Sequence, residues 1–262
     1  MNTPGTFFEW IQYILTNFGV SLLRGAGTTL IIAFVGTAAG CLIGLAIGVI
    51  NTIPIEQNSH PLKKTLLRFV RIILGIYIEV FRGTPMMAQA MFIYYGLRML
   101  GVFMMMWPAA FLIVSINTGA YMAETVRGGI LSIDPGQTEG AKAIGMTHFQ
   151  TMTSVIMPQA LRNIMPQIGN NLIINIKDTC VLSVISVVEL MFQAKSVSGA
   201  YWRYFETYTI AMVMYLAMTL FFSRVLRVIE KKMEGSKSYD LATRDSLAHT
   251  SGMISYQEDV RR

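Results

Sequence analysis

The chain has 262 residues, 53% of them hydrophobic and only 14% charged, with a formal net charge of +6. Soluble domains carry roughly 25% charged residues, so the deficit and the long uncharged runs it leaves weigh against a soluble enzyme, a disordered chain and a nucleic-acid binder. Two cysteines inside apolar runs (Cys41, Cys180) argue against a disulfide scaffold, and three scattered histidines give no metal-ligand spacing.

Residues 1–24 lack the basic start of a cleaved signal. They mix Phe7, Phe8, Trp10 and Tyr13 with Glu9 and Asn17, which reads as an external, interfacial segment. Gly25 to Ile50 is uncharged and long enough for a hydrocarbon core about 30 Å thick. Within it Gly36, Gly40, Gly44 and Gly48 recur every fourth residue, laying a face along which another helix can approach closely. Pro54 to Lys64 is a polar break. The apolar run from Leu66 to Leu100 would span roughly 50 Å as one helix. Arg82-Gly83-Thr84-Pro85 interrupts it, so a helix to about Val80, a kink and a second short helix are expected.

Further spans are expected over 99–123, 163–190 and 207–223, five in all, giving an all-α polytopic membrane protein with permease domain 25–232. Residues 233–262, rich in Ser, Asp and Arg, read as a polar, mobile cytoplasmic tail. Basic residues set the orientation. Lys63, Lys64, Arg68, Arg71, Arg127, Lys142, Arg162, Arg224, Arg227, Lys231 and Lys232 fall on one side. Arg24, Arg98, Lys195 and Arg203 fall on the other. The larger group marks the cytoplasm, with the N-terminus outside.

The cytoplasmic loop, about 131–158, carries Asp134-Pro135 as a helix start, helix formers over Glu139–Ile144 and Gly145 as a left-handed stop. A second helix closed by Pro158 is expected after it. The residues alone allow a stiff knob through which a partner applies force, or an amphipathic linker of no consequence. Glu139, Gly140, Ala141, Gly145, Val155, Met157 and Pro158 resemble the "EAA" loop of ABC importer permeases, with Gly140 in place of an alanine. Phe81-Arg82-Gly83-Thr84-Pro85, Gly119 to Ile130, Pro158-Gln159-Ala160 and Lys177-Asp178-Thr179 resemble the polar amino-acid branch of that family. The resemblance implies a cytosolic ATPase dimer that uses ATP and Mg, a second permease subunit, identical or paralogous, and an external solute-binding protein. It further implies coupling through Glu139, Gly140, Ala141, Gly145 and Pro158, in a bacterial cell membrane. Independently, the chain has no Gly-x-x-x-x-Gly-Lys-Ser/Thr loop to cradle nucleotide phosphates, so no cofactor is expected on this chain and no enzyme activity of its own.

Polar groups at membrane depth face an interior or an aqueous cavity. Glu79, Arg82, Gln89, Asn171, Asn175 and Asp178 are candidates to line the path of a polar amino acid, offering acids to its ammonium and basic or amide donors to its carboxylate. The alternative is a structural network pairing Glu79 with Arg82 and Lys177 with Asp178. Glu124 and Arg127 read as an ion pair or a gate. Glu189 reads as an interfacial or docking charge, and Tyr201, Trp202 and Tyr204 as an aromatic belt. The Gln193–Arg203 loop is a candidate dock for the binding protein. An ion-coupled secondary transporter is the competing reading, drawn from the same intramembrane charges.

Overall fold

A computed structural model of the protein describes residues 5–54 and 60–233, so the expected tail lies almost wholly outside the described residues. Every regular element among them is helical. Helix α1 (Phe7–Thr52) starts at Thr6, whose hydroxyl accepts the Glu9 N–H while the Glu9 carboxylate returns to the Thr6 N–H. Nothing breaks it near residue 24, so the expected interfacial segment and first span are one rod. At 46 residues it is about 69 Å long. Its first half is held by Ile14 and Leu22 packing with Leu190, Val197 and Ile210.

Helix α2 (Pro61–Gly83) and helix α3 (Met86–Met99) are separated by Thr84-Pro85, as the proline predicts. Thr84 is extended, at φ −120° and ψ 148°, the conformation a following proline favours. Arg71 of α2 reaches back to the carbonyls of Ile50 and Ile53, fastening the end of α1. Helix α4 (Met106–Leu131) extends past the expected end of its span. It lies along α1, and the four glycines are the reason. A Cβ on Gly36, Gly40, Gly44 or Gly48 would come within 3 Å of Val114, Thr118, Met122 or Val126 respectively. The glycine face is thus filled from within the chain, by residues that repeat at the same interval on α4.

Helices α5 (Pro135–Ala143) and α6 (His148–Thr151) form the loop. A single wide π-type turn, Met152–Ile156, then runs without interruption into α7 (Met157–Asp178). Pro158 therefore does not close a helix. It sits in the first turn of α7, directly after the wide turn in which the Met157 N–H bonds to Met152. A proline has no N–H to give there, and the widened turn makes room for its ring.

The expected single run 163–190 is also modified. Helix α7 ends at Asp178 and tightens into a 3-10 segment, Thr179–Ile185. Ser186 then adopts the left-handed conformation at φ 65°. Helix α8 (Leu190–Tyr201) leaves at 54° to the preceding axis. The Gln193–Arg203 stretch expected as a loop is mostly this helix. Trp202, left-handed at φ 57°, turns the chain into α9 (Tyr204–Met233).

Three of these helices are individually long and apolar enough to cross a membrane: Phe7–Thr52, Met106–Leu131 and Tyr204–Lys232. The bent pair around α7 and α8 passes the same test only when taken together, as a broken span or a re-entrant loop. Helix α2 has the length, but Lys63, Lys64, Arg68, Arg71, Glu79 and Arg82 give it too much charge to qualify.

Candidate transport path and coupling surface

The break between α2 and α3 is closed by side chains. Pro85 cannot donate to Phe81, the acceptor four residues back, and a buried carbonyl without a partner is costly. Gln89 supplies the missing bond. Its Nε2 lies 2.9 Å from the Phe81 oxygen, 2.9 Å from the Thr84 oxygen and 2.8 Å from Thr84 Oγ1. Asn117 of α4 donates to Gln89 Oε1 at 2.9 Å and to the Phe81 oxygen at 3.3 Å. Gln89 and Asn117 are both buried. The candidate Gln89 thus serves as a splint at the kink. Asn117 was not among the candidates, although it is the sole amide side chain in the 99–123 run.

Asn171 and Asn175 have a similar character. The Asn175 amide donates to Thr37 Oγ1 of α1 at 2.7 Å and to Thr118 Oγ1 of α4 at 2.9 Å, knotting three helices at a buried point. Asn171, also buried, donates to the Met122 sulfur at 3.3 Å and to the Gln167 oxygen at 3.0 Å.

The remaining candidates are exposed. On α2, Arg68, Glu79 and Arg82 share a polar face. On α7, Asn163, Gln167, Asn170, Lys177 and Asp178 line another. The exposed side of α4, with Tyr121 and Gly128, lies between them. Arg82 reaches it from one flank, its guanidinium 5.7 Å from the Tyr121 ring centre. Asn163 reaches it from the other, donating to Ser132 Oγ at 3.3 Å. Glu124 and Arg127 form the expected ion pair on this surface. Among the described residues the structure forms neither a Glu79–Arg82 nor a Lys177–Asp178 ion pair. Arg82 leans toward Tyr121 instead, and the α7 pair sits exposed where the helix ends, so solvation competes with pairing. The three faces make one polar strip that carries both acids and bases on a largely apolar bundle.

Directly beyond the C-terminal end of α4 the loop is built as a rigid knob. Asp134 caps α5 by accepting the Gly136 N–H at 2.7 Å, with Pro135 in the first turn. The other end closes in a Schellman turn. Gly145, at φ 83°, donates to Lys142 at 2.9 Å, and Met146 donates to Ala141 at 3.1 Å. Thr147 and Gln150 cap α6 reciprocally. Ala141 is buried against the loop, while Glu139, Gly140 and Lys142 face outward. Two large apolar side chains stand beside them, Ile144 at 79% and Phe149 at 75% exposure. Neither was singled out from the sequence, though both are conspicuous in a polar loop. Exposed large apolar side chains on a capped, polar loop are the kind of feature that protein–protein contacts use.

Glu189 departs most from expectation. It has no exposed surface and is neither an interfacial nor a docking charge. Its carboxylate caps α8, accepting the Met191 N–H at 2.8 Å and the Phe192 N–H at 2.6 Å.

Comparison with known proteins agrees with this architecture. Residues 65–235 match the family described as the binding-protein-dependent transport system inner membrane component. The glutamine transport system permease protein GlnP of Escherichia coli K12 is 38% identical over 215 residues, 81% of this chain and 93% of that one. The arginine transport system permease protein ArtQ of Bacillus subtilis 168 is 32% identical over 216 residues, 82% and 93% of the two chains. A chain from the crystal structure of an amino acid ABC transporter with histidines superposes with a TM-score of 0.75. It has 34% identity and covers 88% of this chain and all of its own. The inward-facing MetNI methionine ABC transporter, at 20% identity and TM-score 0.68, shares the fold. An all-helical bundle, a capped loop and these matches together place the chain in the binding-protein-dependent transport system inner membrane component family, as a permease subunit of an amino-acid ABC transporter and a transport component rather than an enzyme.

Proposed function

We propose that this subunit imports a polar or charged amino acid of the glutamine or arginine type by alternating access, driven by a separate cytosolic ATPase dimer. The observation that carries the coupling half of this reading is the α5–α6 knob. It presents Ile144 and Phe149 on a doubly capped turn that continues through one wide turn into α7. A push on the knob moves α7 as a rod, because no flexible loop intervenes. Glu139 and Lys142 flank the apolar pair and set its orientation on the ATPase. ATP and Mg belong to that partner.

The path half rests on the polar strip. Glu79 and Asp178 meet the ammonium, or the guanidinium of a cationic solute, and Arg82 meets the carboxylate. Gln89, Asn171 and Asn175 keep the strip's helices in place. One strip exposed on one side of the bundle is half a conduit, and a second permease subunit, identical or paralogous, supplies the other half. An extracytoplasmic binding protein delivers the solute. In this arrangement five passages cross a bacterial inner or cytoplasmic membrane, embedded in its lipid, with the N-terminus outside and the C-terminus in the cytoplasm. The broken α2–α3 pair is the passage that hydropathy alone misses.

The test uses the complex purified with its ATPase and binding protein and reconstituted in vesicles. Glu139→Ala and the double change Ile144→Asp with Phe149→Ala should abolish binding-protein stimulation of ATP hydrolysis while the permease still folds. Asp178→Asn should lower uptake with stimulation retained. Uptake and stimulated hydrolysis at wild-type rates in the knob variants would overturn the coupling role. Uptake by the isolated chain under an ion gradient would overturn the whole reading.

A further inference from the structure

The buried Glu189 has a place that neither the path nor the knob explains. Besides the two α8 N–H groups, its carboxylate accepts the Tyr215 hydroxyl of α9 at 2.8 Å and the Thr29 hydroxyl of α1 at 3.5 Å. Thr29 Oγ1 in turn accepts the Leu190 N–H at 3.3 Å. One turn before Thr29, Gly25 leaves room for this junction: a Cβ there would lie 2.9 Å from the Leu190 Cα. All four donors to the carboxylate are neutral. A buried carboxylate is held this way by convergent N–H and O–H groups and by the positive end of a helix.

This anchor lies eleven residues beyond Asp178, and the chain between them is poorly able to hold its own shape. Thr179–Ile185 is a seven-residue 3-10 run, longer than such runs usually persist. Ser186 follows in a left-handed conformation that non-glycine residues adopt at a cost. The segment is fixed from outside itself. Leu182, Ile185 and Val187 pack with Ala90, Ile113 and Val114 on one side, and Glu189 ties its downstream end to three helices. Upstream, the Asn175 knot holds the last turn of α7.

We infer that Glu189 is a positioning residue for transport. By pinning the start of α8 it keeps the 3-10 segment wound and so holds Asp178 in register with the polar strip. The inference rests on the reading of that strip as the solute path.

The experiment uses the reconstituted complex, with labelled glutamine and labelled arginine as probes, and reads solute moved per ATP hydrolysed. Glu189→Ala should lower that ratio about tenfold, the scale of a small displacement at a reacting or binding group, with binding-protein stimulation of the ATPase retained. Glu189→Gln keeps an oxygen at the Oε2 position for the Met191 N–H and the Tyr215 and Thr29 hydroxyls, loses only the Phe192 bond at Oε1, and should restore most of the ratio. A purely structural role would instead lower uptake and hydrolysis together, in proportion to assembled complex, and that result overturns the inference. An unchanged ratio overturns it as well.

If Glu189→Ala does not assemble, Tyr215→Phe and Thr29→Val each remove one donor. A two- to fivefold loss in the ratio, about one hydrogen bond's worth, supports the role, and no loss overturns it. Wild-type complex that moves neither amino acid sinks the path reading and, with it, the inference. Hydrogen exchange over 179–186 tells the two failures apart. Faster exchange in Glu189→Ala supports the anchor whatever is transported, and unchanged exchange refutes it.

Discussion

A methyl group on Gly44 would stand 2.7 Å from the Met122 carbonyl carbon and 2.8 Å from the Ala123 nitrogen, both backbone atoms that cannot swing away. At Gly140 it would meet nothing within 4 Å. The same substitution should therefore act with opposite sign at the two sites. Gly44→Ala forces α1 away from α4 and is expected to cost about 1–3 kcal/mol, the usual range for overpacking. Gly140→Ala, on an exposed face of α5, should gain about 0.5–1 kcal/mol by removing unfolded-state freedom. Thermal midpoints of the purified complex measure both. The glycine interval was legible because packing periodicity is local. Its partner was not, since nothing in the interval distinguishes a neighbouring helix from a second subunit. Glu189 shows a similar limit. A carboxylate beside an aromatic-rich stretch reads as interfacial until the donors at positions 29 and 215, distant in the chain, are brought to it.

Proline behaves differently at the two elements it marks. At Pro85 the missing N–H ends α2, and the break is splinted by Gln89 and Asn117. Gln89→Leu keeps the bulk but leaves the Thr84 carbonyl without its amide donor and Phe81 with Asn117 alone. It is expected to cost about 1–3 kcal/mol, read as a lower thermal midpoint and a lower yield of folded complex. At Pro158 the same missing donor begins a helix, because a wide turn precedes it. Sequence reasoning treats both as stops, since no local pattern records the wide turn before Pro158, where Ile156 packs with Ile130 and Val126. The α5 boundary was legible to within a few residues because caps are local chemistry. Gly145, at φ 83°, should not tolerate a branched side chain. Gly145→Val is expected to cost about 1–2 kcal/mol locally and to lower stimulated ATPase activity more than it lowers folded yield.

For the molecule as a whole, helical class follows from apolar run length, and α1, α4, α7 and α9 overlap those runs, whereas α8 forms where a loop was expected. The number of crossings is less direct. Helix α2 carries charged residues on one face at both ends, Arg68 toward the start and Glu79 and Arg82 toward the finish, so its burial in a membrane depends on a neighbour that covers them. Sidedness is testable in cells. On a background with Cys41 and Cys180 replaced by alanine, Phe149→Cys should react with a membrane-impermeant maleimide only after permeabilisation. Trp202→Cys, 77% exposed in the native side chain, should react in intact cells. Reversed labelling would invert the orientation and remove the knob from reach of any cytosolic partner.

The uninterrupted stretch His148–Asp178 amounts to a lever about 46 Å long. Tilting it through about 10° about one end carries the other through roughly 8 Å, by simple trigonometry on that helical rise. Pro166 in its interior and the wide turn before Pro158 are where such a beam flexes first. Under the proposed coupling, stiffening either joint would change the displacement reaching Asp178 while leaving the knob's contact with the ATPase untouched.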